Sequence, residues 1–354
     1  MSSINNRQVL CDFWYFSELD DIACPFEKYA EEKIGPRFAH FLLRFSVLRA
    51  LLLIWLGRDF QLIAPNWFRY GRLICVLQAI LRNRNIVIFE CIDIDVWRKG
   101  PFIAAAILFL DKYVIGPCMR VSVVAVQVLT NAERQIFVER YGLPEAVLHM
   151  VPWPLGWESE GEKISGWDAA VHNPASAARN GYVFASGNVS CDWKTLFEAA
   201  QFGNWPLIIV CSSKDLPRVT ALNKNGRATV FGEVDYVEHQ RLLAGAAVFA
   251  LCLRESFKSS GQVRLSTAIA AGVPVVASDV LGLEGYLIDG VTAIAAEAGH
   301  PVALAKAIEN LLNEPERRNA LTVAAKQYAA KFTKRDYFSA LRQLLSRCLE
   351  SKHR

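Results

Sequence analysis

Residues 255–290 read ESFKSSGQVRLSTAIAAGVPVVASDVLGLEGYLIDG, and four signals fall into register within them. An acidic residue, Glu255, comes first, followed by a loop of Lys258, Ser259, Ser260 and Gly261. The small-residue run at 263–271 predicts a helix closed by Gly272, and VPVVA at 273–277 predicts a strand. A loop, a helix N-terminus and a strand in that order make half of a β-α-β unit. The free N–H groups and positive dipole end of such a helix suit phosphate, so the ligand inferred from this stretch is a diphosphate. Gly261 and Gln262 place backbone N–H groups against it, glycine leaving room for that approach. Lys258 and Arg264 are candidates to neutralise its charge.

Working outward, alternating strand and helix patterns run along most of the chain. Strands are expected at 8–16, 59–65, 85–92 and 121–129, with helices at 72–82, 102–114 and 132–141. After a polar stretch rich in Ala and Ser at 156–180, the pattern restarts with strands at 182–187, 206–211, 228–232 and 247–253. A chain of 354 residues exceeds what one core usually holds, so two domains are expected. Their boundaries are read as 1–155, a linker at 156–180, 181–335, and a last helix at 336–354 crossing back to the first domain.

The stretch at 255–290 resembles the donor-binding half of GT-B glycosyltransferases of the nucleotide-sugar-dependent group 1 type. The resemblance rests on Glu255, Gly261-Gln262, the run from Ala270 through Gly272 and Pro274 to Val276, and Ser278-Asp279. Leu129-Thr130-Asn131, Tyr141-Gly142-Leu143-Pro144 and the run from Val147 to Pro154 resemble the close of the N-terminal domain of that family. This chain departs from the pattern at Thr267, where the family usually has a second Glu, and in the spacing through Lys258 to Gly261. The resemblance implies an α/β fold, GT-B, of two Rossmann-like doubly wound domains facing a central cleft. It implies a glycosyltransferase moving a hexose from a UDP-, GDP- or dTDP-sugar to a glycan or lipid-linked saccharide in polysaccharide or glycoconjugate biosynthesis. A non-catalytic sugar-nucleotide-binding subunit supporting a partner enzyme is the alternative.

The same resemblance implies roles for individual residues. Glu255 bonds hydroxyls of the donor sugar, and Thr267 gives one hydrogen bond to ribose where a carboxylate would accept two. The first strand-to-helix turn of the second domain, Ser186, Gly187 and Asn188, faces the donor, with Lys194 as its basic residue. Gly232, Glu233 and Val234 contact the base, and Ser260 and Val263 flank the diphosphate loop. On the acceptor side an inverting transfer needs a carboxylate to take the hydroxyl proton. Asp93 is the first choice and Asp21, with Asp20, the second. Asp93 and Asp95 also match a D-x-D metal motif, but that motif is short and common, so no obligatory metal is expected and the helix dipole and basic groups replace it.

Composition narrows the remaining classes. A 53% hydrophobic share excludes a disordered chain, and a formal charge of +4 gives no ground for a nucleic-acid partner. Nine cysteines without a C-x-x-C pair fit reduced thiols in a cytoplasmic protein. The N-terminus lacks a basic region followed by an apolar one, so secretion is not expected. No G-x-S-x-G, Walker loop or H-E-x-x-H is present, and His149 and His239 read as structural. Charge is lopsided in one place. Arg37, Arg44, Arg49, Arg58, Arg69, Arg72, Arg82 and Arg84 stand against one acid, Asp59, within strongly apolar sequence. The apolar run at 38–56 has a spanning length, but Arg44 and Arg49 inside it argue against a transmembrane helix. Two readings stay open: core-facing helices with the arginines at their solvent edges, or, as the resemblance to enzymes that extend lipid-linked sugars implies, a peripheral surface against an anionic bilayer at the inner face of the cytoplasmic membrane.

Overall fold

A computed structural model describes residues 7–12, 17–89, 100–156, 181–256 and 258–351. The chain divides into two compact units, Met1–Pro152 with Tyr337–Arg354, and Trp153–Asp336. Each unit holds a six-stranded sheet whose recorded pairings are parallel, flanked by helices. Most of the linker read at 156–180, together with Asp93 and Asp95, lies outside the described residues.

The first unit runs β1 (Val9–Cys11), β2 (Ala23–Pro25), α1 (Phe26–Ile34), α2 (Pro36–Leu43), α3 (Ser46–Leu56), β3 (Leu62–Ala64), α4 (Arg72–Ile80) and β4 (Ile86–Ile88). It continues with α5 (Pro101–Leu110), a π-turn at Asp111–Ile115, α6 (Gly116–Ser122), β5 (Val123–Val128), α7 (Asn131–Tyr141) and β6 (Leu148–Met150). The strand order is β2-β1-β3-β4-β5-β6. Its inner strands are almost wholly buried and mostly Val, Ile, Leu and Ala, with Cys11 in β1 and Gln127 in β5, as a parallel sheet covered on both faces requires. The signals that delimit α7 are local. Thr130 Oγ1 accepts from the Glu133 N–H at 3.1 Å, while Glu133 Oε2 accepts from the Leu129 N–H at 2.7 Å. Gly142, at φ +62°, closes the helix in the left-handed conformation.

The second unit runs β7 (Val183–Gly187), α8 (Trp193–Phe202), β8 (Leu207–Cys211), α9 (Leu216–Leu222), β9 (Ala228–Phe231), α10 (Tyr236–Ala244) and β10 (Val248–Leu251). It ends with α11 (Gln262–Ala270), β11 (Val275–Asp279), β12 (Ile294–Glu297), α12 (Pro301–Asn313) and α13 (Pro315–Ala329). The order β12-β11-β10-β7-β8-β9 reverses direction between β7 and β10. In such sheets the crevice outside the carboxyl ends of the strands at the reversal is where ligands bind. The last helix, α14 (Lys334–Ser351), belongs from Tyr337 onward to the first unit. There the buried Tyr337 hydroxyl accepts from Gln127 Nε2 at 3.3 Å.

The structure corrects the reading of the arginine-rich segment. Arg49 does not face outward; it is buried and forks onto Asp12 at the end of β1, with Nε donating to Oδ2 at 2.7 Å and Nη2 bonding Oδ1. Nη2 also reaches Glu27 Oε1 at 2.7 Å. Arg72 pairs with the buried Asp111 at 2.8 Å, and Arg140 of α7 pairs with the same carboxylate. The apolar run at 38–56 is broken at Arg44 and Phe45 into α2 and α3, so it is not one helix of spanning length. The reason in each case is a carboxylate distant in sequence that the fold brings to the guanidinium, 37 residues away for Asp12 and 39 for Asp111. Arg49→Met leaves the Asp12 carboxylate buried without its main partner, and equilibrium urea unfolding should show a loss of about 3–5 kcal/mol. Asp12→Leu combined with Arg49→Met should recover most of it.

Candidate functional site

The site is built where β7 and β10 separate. The segments leaving these strands are stitched together by a Cys191–Leu253 bridge. The Asp192 N–H donates to Cys252 O at 3.0 Å, and the Arg254 N–H donates to Ser190 O at 2.9 Å. Asp192 also caps α8, accepting from the Thr195 N–H at 3.2 Å and the Thr195 hydroxyl at 2.7 Å. Ser278, at the end of β11, accepts from the Leu253 N–H at 3.0 Å. Three strand ends are thereby held in fixed register around the reversal.

The N-terminus of α11 follows directly. Gly261 occupies its N-cap at φ +98°, and a Cβ there would stand 2.8 Å from Leu253 Cδ1. Both the backbone angle and the space admit only glycine. No side chain caps the helix and its first turn holds no acid, so among the described residues the opening amides, beginning with Gln262 and Val263, have no side-chain acceptor. Behind them the loop is braced. Gly282 O accepts from Gln262 Nε2 at 2.6 Å and from the Ser260 N–H at 3.3 Å. Gln262, Ser259 and Ser260 are buried, so the Gln262 side chain shapes the loop while its backbone N–H stays at the helix end.

Arg264 is held in place by the β7 turn. Its Nη1 donates to Ser186 O at 2.9 Å and to Cys191 Sγ at 3.1 Å, and its Nη2 donates to Val189 O at 3.0 Å. It clamps the β7 turn onto α11, and a Cβ at Gly187 would overlap its guanidinium. All three acceptors are uncharged, so the full positive charge stands beside the helix N-terminus. Glu255 is exposed; its Oε1 accepts from the Ser256 and Leu281 N–H groups, both at 3.1 Å. Among the described residues no protein group bonds its Oε2.

The other sequence-predicted residues fall as follows. Asn188 is exposed in the β7 turn, whereas Ser186 is buried and shares a 3.0 Å hydrogen bond with His239 Nε2. Lys194 lies on the exposed side of α8, 3.6 Å from Glu198. The Lys258 N–H donates to Ser256 Oγ at 3.1 Å, and its side chain is half-buried. Val263 is exposed, and the Thr267 hydroxyl donates to Val263 O at 2.7 Å within the helix, leaving only its lone pairs for a ligand. Gly232, Glu233 and Val234 follow the edge strand β9, and Glu233 accepts from Ser213 Oγ at 3.3 Å. In the first unit Asp21 is ion-paired with Arg342 of α14, which also donates to Glu18 O at 2.6 Å, so its carboxylate is held by a cation. A strand over 8–16 would hide Asp12 in its middle, whereas β1 ends at Cys11 and leaves Asp12 at its carboxyl end.

Gly261→Ala forces a strained angle and a clash with Leu253, and thermal unfolding should report about 1–3 kcal/mol lost. His239 packs edge-on against Phe184, and burial holds its imidazole below the ordinary 6.5. Because the folded value is depressed, its contribution to stability is complete above 6.5 and is lost as pH falls through the folded value. Unfolding measured across this window should show wild type losing more stability on acidification than His239→Gln.

Comparison with known proteins places this arrangement. Residues 192–314 match the family model described as Glycosyl transferases group 1. A D-inositol 3-phosphate glycosyltransferase from Corynebacterium diphtheriae is 37% identical over 78 residues, a match covering 22% of this chain and 18% of that protein. Among solved structures, sucrose-phosphate synthase from Thermosynechococcus elongatus aligns with a TM-score of 0.66 at 17% identity, over 88% of this chain and 79% of that one. The Anabaena protein HepE, solved in complex with UDP and glucose, aligns with a TM-score of 0.65 at 16% identity, over 98% of this chain and 99% of that one. The chain therefore has the GT-B fold, and its second unit carries a segment recognised as that of the group 1 glycosyl transferases.

Proposed function

We propose that the protein transfers a hexose from a nucleoside-diphosphate sugar to a saccharide or lipid-linked saccharide acceptor in polysaccharide or glycoconjugate biosynthesis. The observation that carries this reading is the uncapped N-terminus of α11, opened by Gly261 and bordered by the Arg264 charge, at the strand reversal of the second sheet. The amides of Gln262 and Val263 hold the diphosphate, and Glu255 Oε2 accepts from hydroxyls of the attached sugar. Thr267 meets the ribose weakly, and residues 232–234 contact the base. The UDP held by the similar HepE supports a nucleoside diphosphate as the ligand.

In the transfer, an acceptor hydroxyl oxygen bonds the anomeric carbon, the bond from that carbon to the phosphate oxygen breaks, and the hydroxyl proton passes to a carboxylate. The negative charge gathers on the departing diphosphate, where a helix dipole and a fixed guanidinium stabilise it without an obligatory metal. Asp93 remains the proposed base, since Asp21 is tied to Arg342. A cytoplasmic setting is part of this reading; among the described residues the cysteines form no disulfide.

Incubating the full chain with UDP-, GDP- and dTDP-sugars and acceptor extracts should release nucleotide. Glu255→Gln should lower kcat/KM by about 10²-fold with nucleotide affinity unchanged, since the sugar contact and not the phosphate contact is lost. Nucleotide binding with no turnover on any acceptor would favour a binding subunit, and absence of binding would sink the site.

A further inference from the structure

The helical layer of the first unit leaves a large apolar surface uncovered. Phe38 and Phe41 on α2, Phe45 between the helices, and Leu48, Leu51 and Trp55 on α3 are exposed, spaced by three or four residues within each helix. On α5 and the π-turn, Phe102, Ile103, Phe109, Leu110, Tyr113 and Val114 are exposed, with Phe102 at 89%. The two sets are linked through α4, which packs on α3 and on the π-turn that continues α5. Patches of this kind mark interaction surfaces, since monomeric proteins seldom leave more than a few hundred Å² of contiguous apolar area to water.

We infer that this layer is a monotopic docking surface for an anionic lipid bilayer, with the aromatic side chains inserted among acyl chains and the arginines at headgroup depth. Charge selects the occupant. Arg37, Arg44, Arg58 and Lys112 are exposed on or beside the same elements. The acids there are neutralised: Asp111 is 1% exposed and held by Arg72 and Arg140, and Asp59 meets Tyr29 and Lys33. A second copy of the same face would set arginine against arginine, whereas lipid phosphates meet them and the acyl region takes the rings. Tyr113, with Lys112 5.9 Å from its ring, has the polar-tipped form that sits at the boundary.

The helix Pro101–Ser122 has the length and hydropathy of a span, but from Asp111 onward it is packed against the unit. Asp111 ties its middle to α4 and α7, and Gly116 packs so closely on Tyr141 O that a Cβ would overlap it. Held from its middle onward, the helix offers its exposed first half, Pro101–Leu110, to the lipid surface. Insertion distinguishes this surface from the electrostatic contact expected of residues 37–84, two of whose arginines are internal. The inference is drawn from the first unit alone and stands independently of the transfer reaction.

The test is co-sedimentation of the full chain with phosphatidylcholine vesicles with and without phosphatidylglycerol. The wild type should be retained by the anionic vesicles, and about 0.5 M salt, which screens surface charge, should weaken retention without abolishing it. Phe102→Ser/Phe109→Ser and Phe41→Ser/Trp55→Ser should each reduce the partition coefficient about tenfold or more, with unfolding temperature and circular dichroism unchanged because these side chains are exposed. Wild type that stays in solution with anionic vesicles at low salt overturns the proposal. So does equal retention of folded variants, or a dimer in sedimentation equilibrium that the same substitutions dissolve.

Discussion

A helix offers its first amides to an anion only if the protein leaves them without an acceptor, and the second unit is arranged around that condition. Gly261 enters α11 without a capping side chain, at a backbone angle that ordinary residues avoid. An uncapped end forgoes about 1 kcal/mol of capping stabilisation, so the loop must be held by other means. The Gly282 carbonyl provides one, accepting from Gln262 and Ser260. Arg264 provides another, binding the β7 turn through three uncharged acceptors. Arg264 thus supplies rigidity and positive charge together, and the other braces, Gln262 and Ser260, are uncharged.

The first unit meets a different constraint. Parallel strands of three to six residues need helices against them, and the helices here are apolar enough that polar anchors set their positions. Asp12 with Arg49 fixes α3 against the end of β1, and Asp111 with Arg72 and Arg140 fixes the π-turn against α4 and α7. Buried ion pairs add little net stability over apolar replacements, but each forbids alternatives in which one partner is left alone in the interior. By turning these arginines and acids inward, the fold leaves an outer face of aromatic side chains rimmed by the remaining cations.

Both units use the same strand-helix alternation, but their edges differ in how legible they are. The long helices and inner strands are visible as hydrophobic periodicity, and Gly142 and Gly272 mark helix ends by a local conformational requirement. The strands β2 and β12, three and four residues long, carry no pattern that separates them from loop. Lys194 read as a phosphate ligand because it follows the β7 turn, yet the helix turns it toward Glu198.

What the sequence determined by itself was the α/β alternation and the loop-helix-strand order at 255–290, because turn residues, helix ends and periodicity are local properties of the backbone. It also marked Gly261, whose role needs only the absence of a Cβ. The tertiary structure alone decided which charges are free. Arg49, Arg72 and Arg264 look alike in one dimension, and each was assigned by a partner dozens of residues away: Asp12, Asp111 and the Ser186 carbonyl. A guanidinium satisfies its donors with whatever acceptor the fold brings near, and that proximity is written in the packing of the sheets and not in the neighbouring residues.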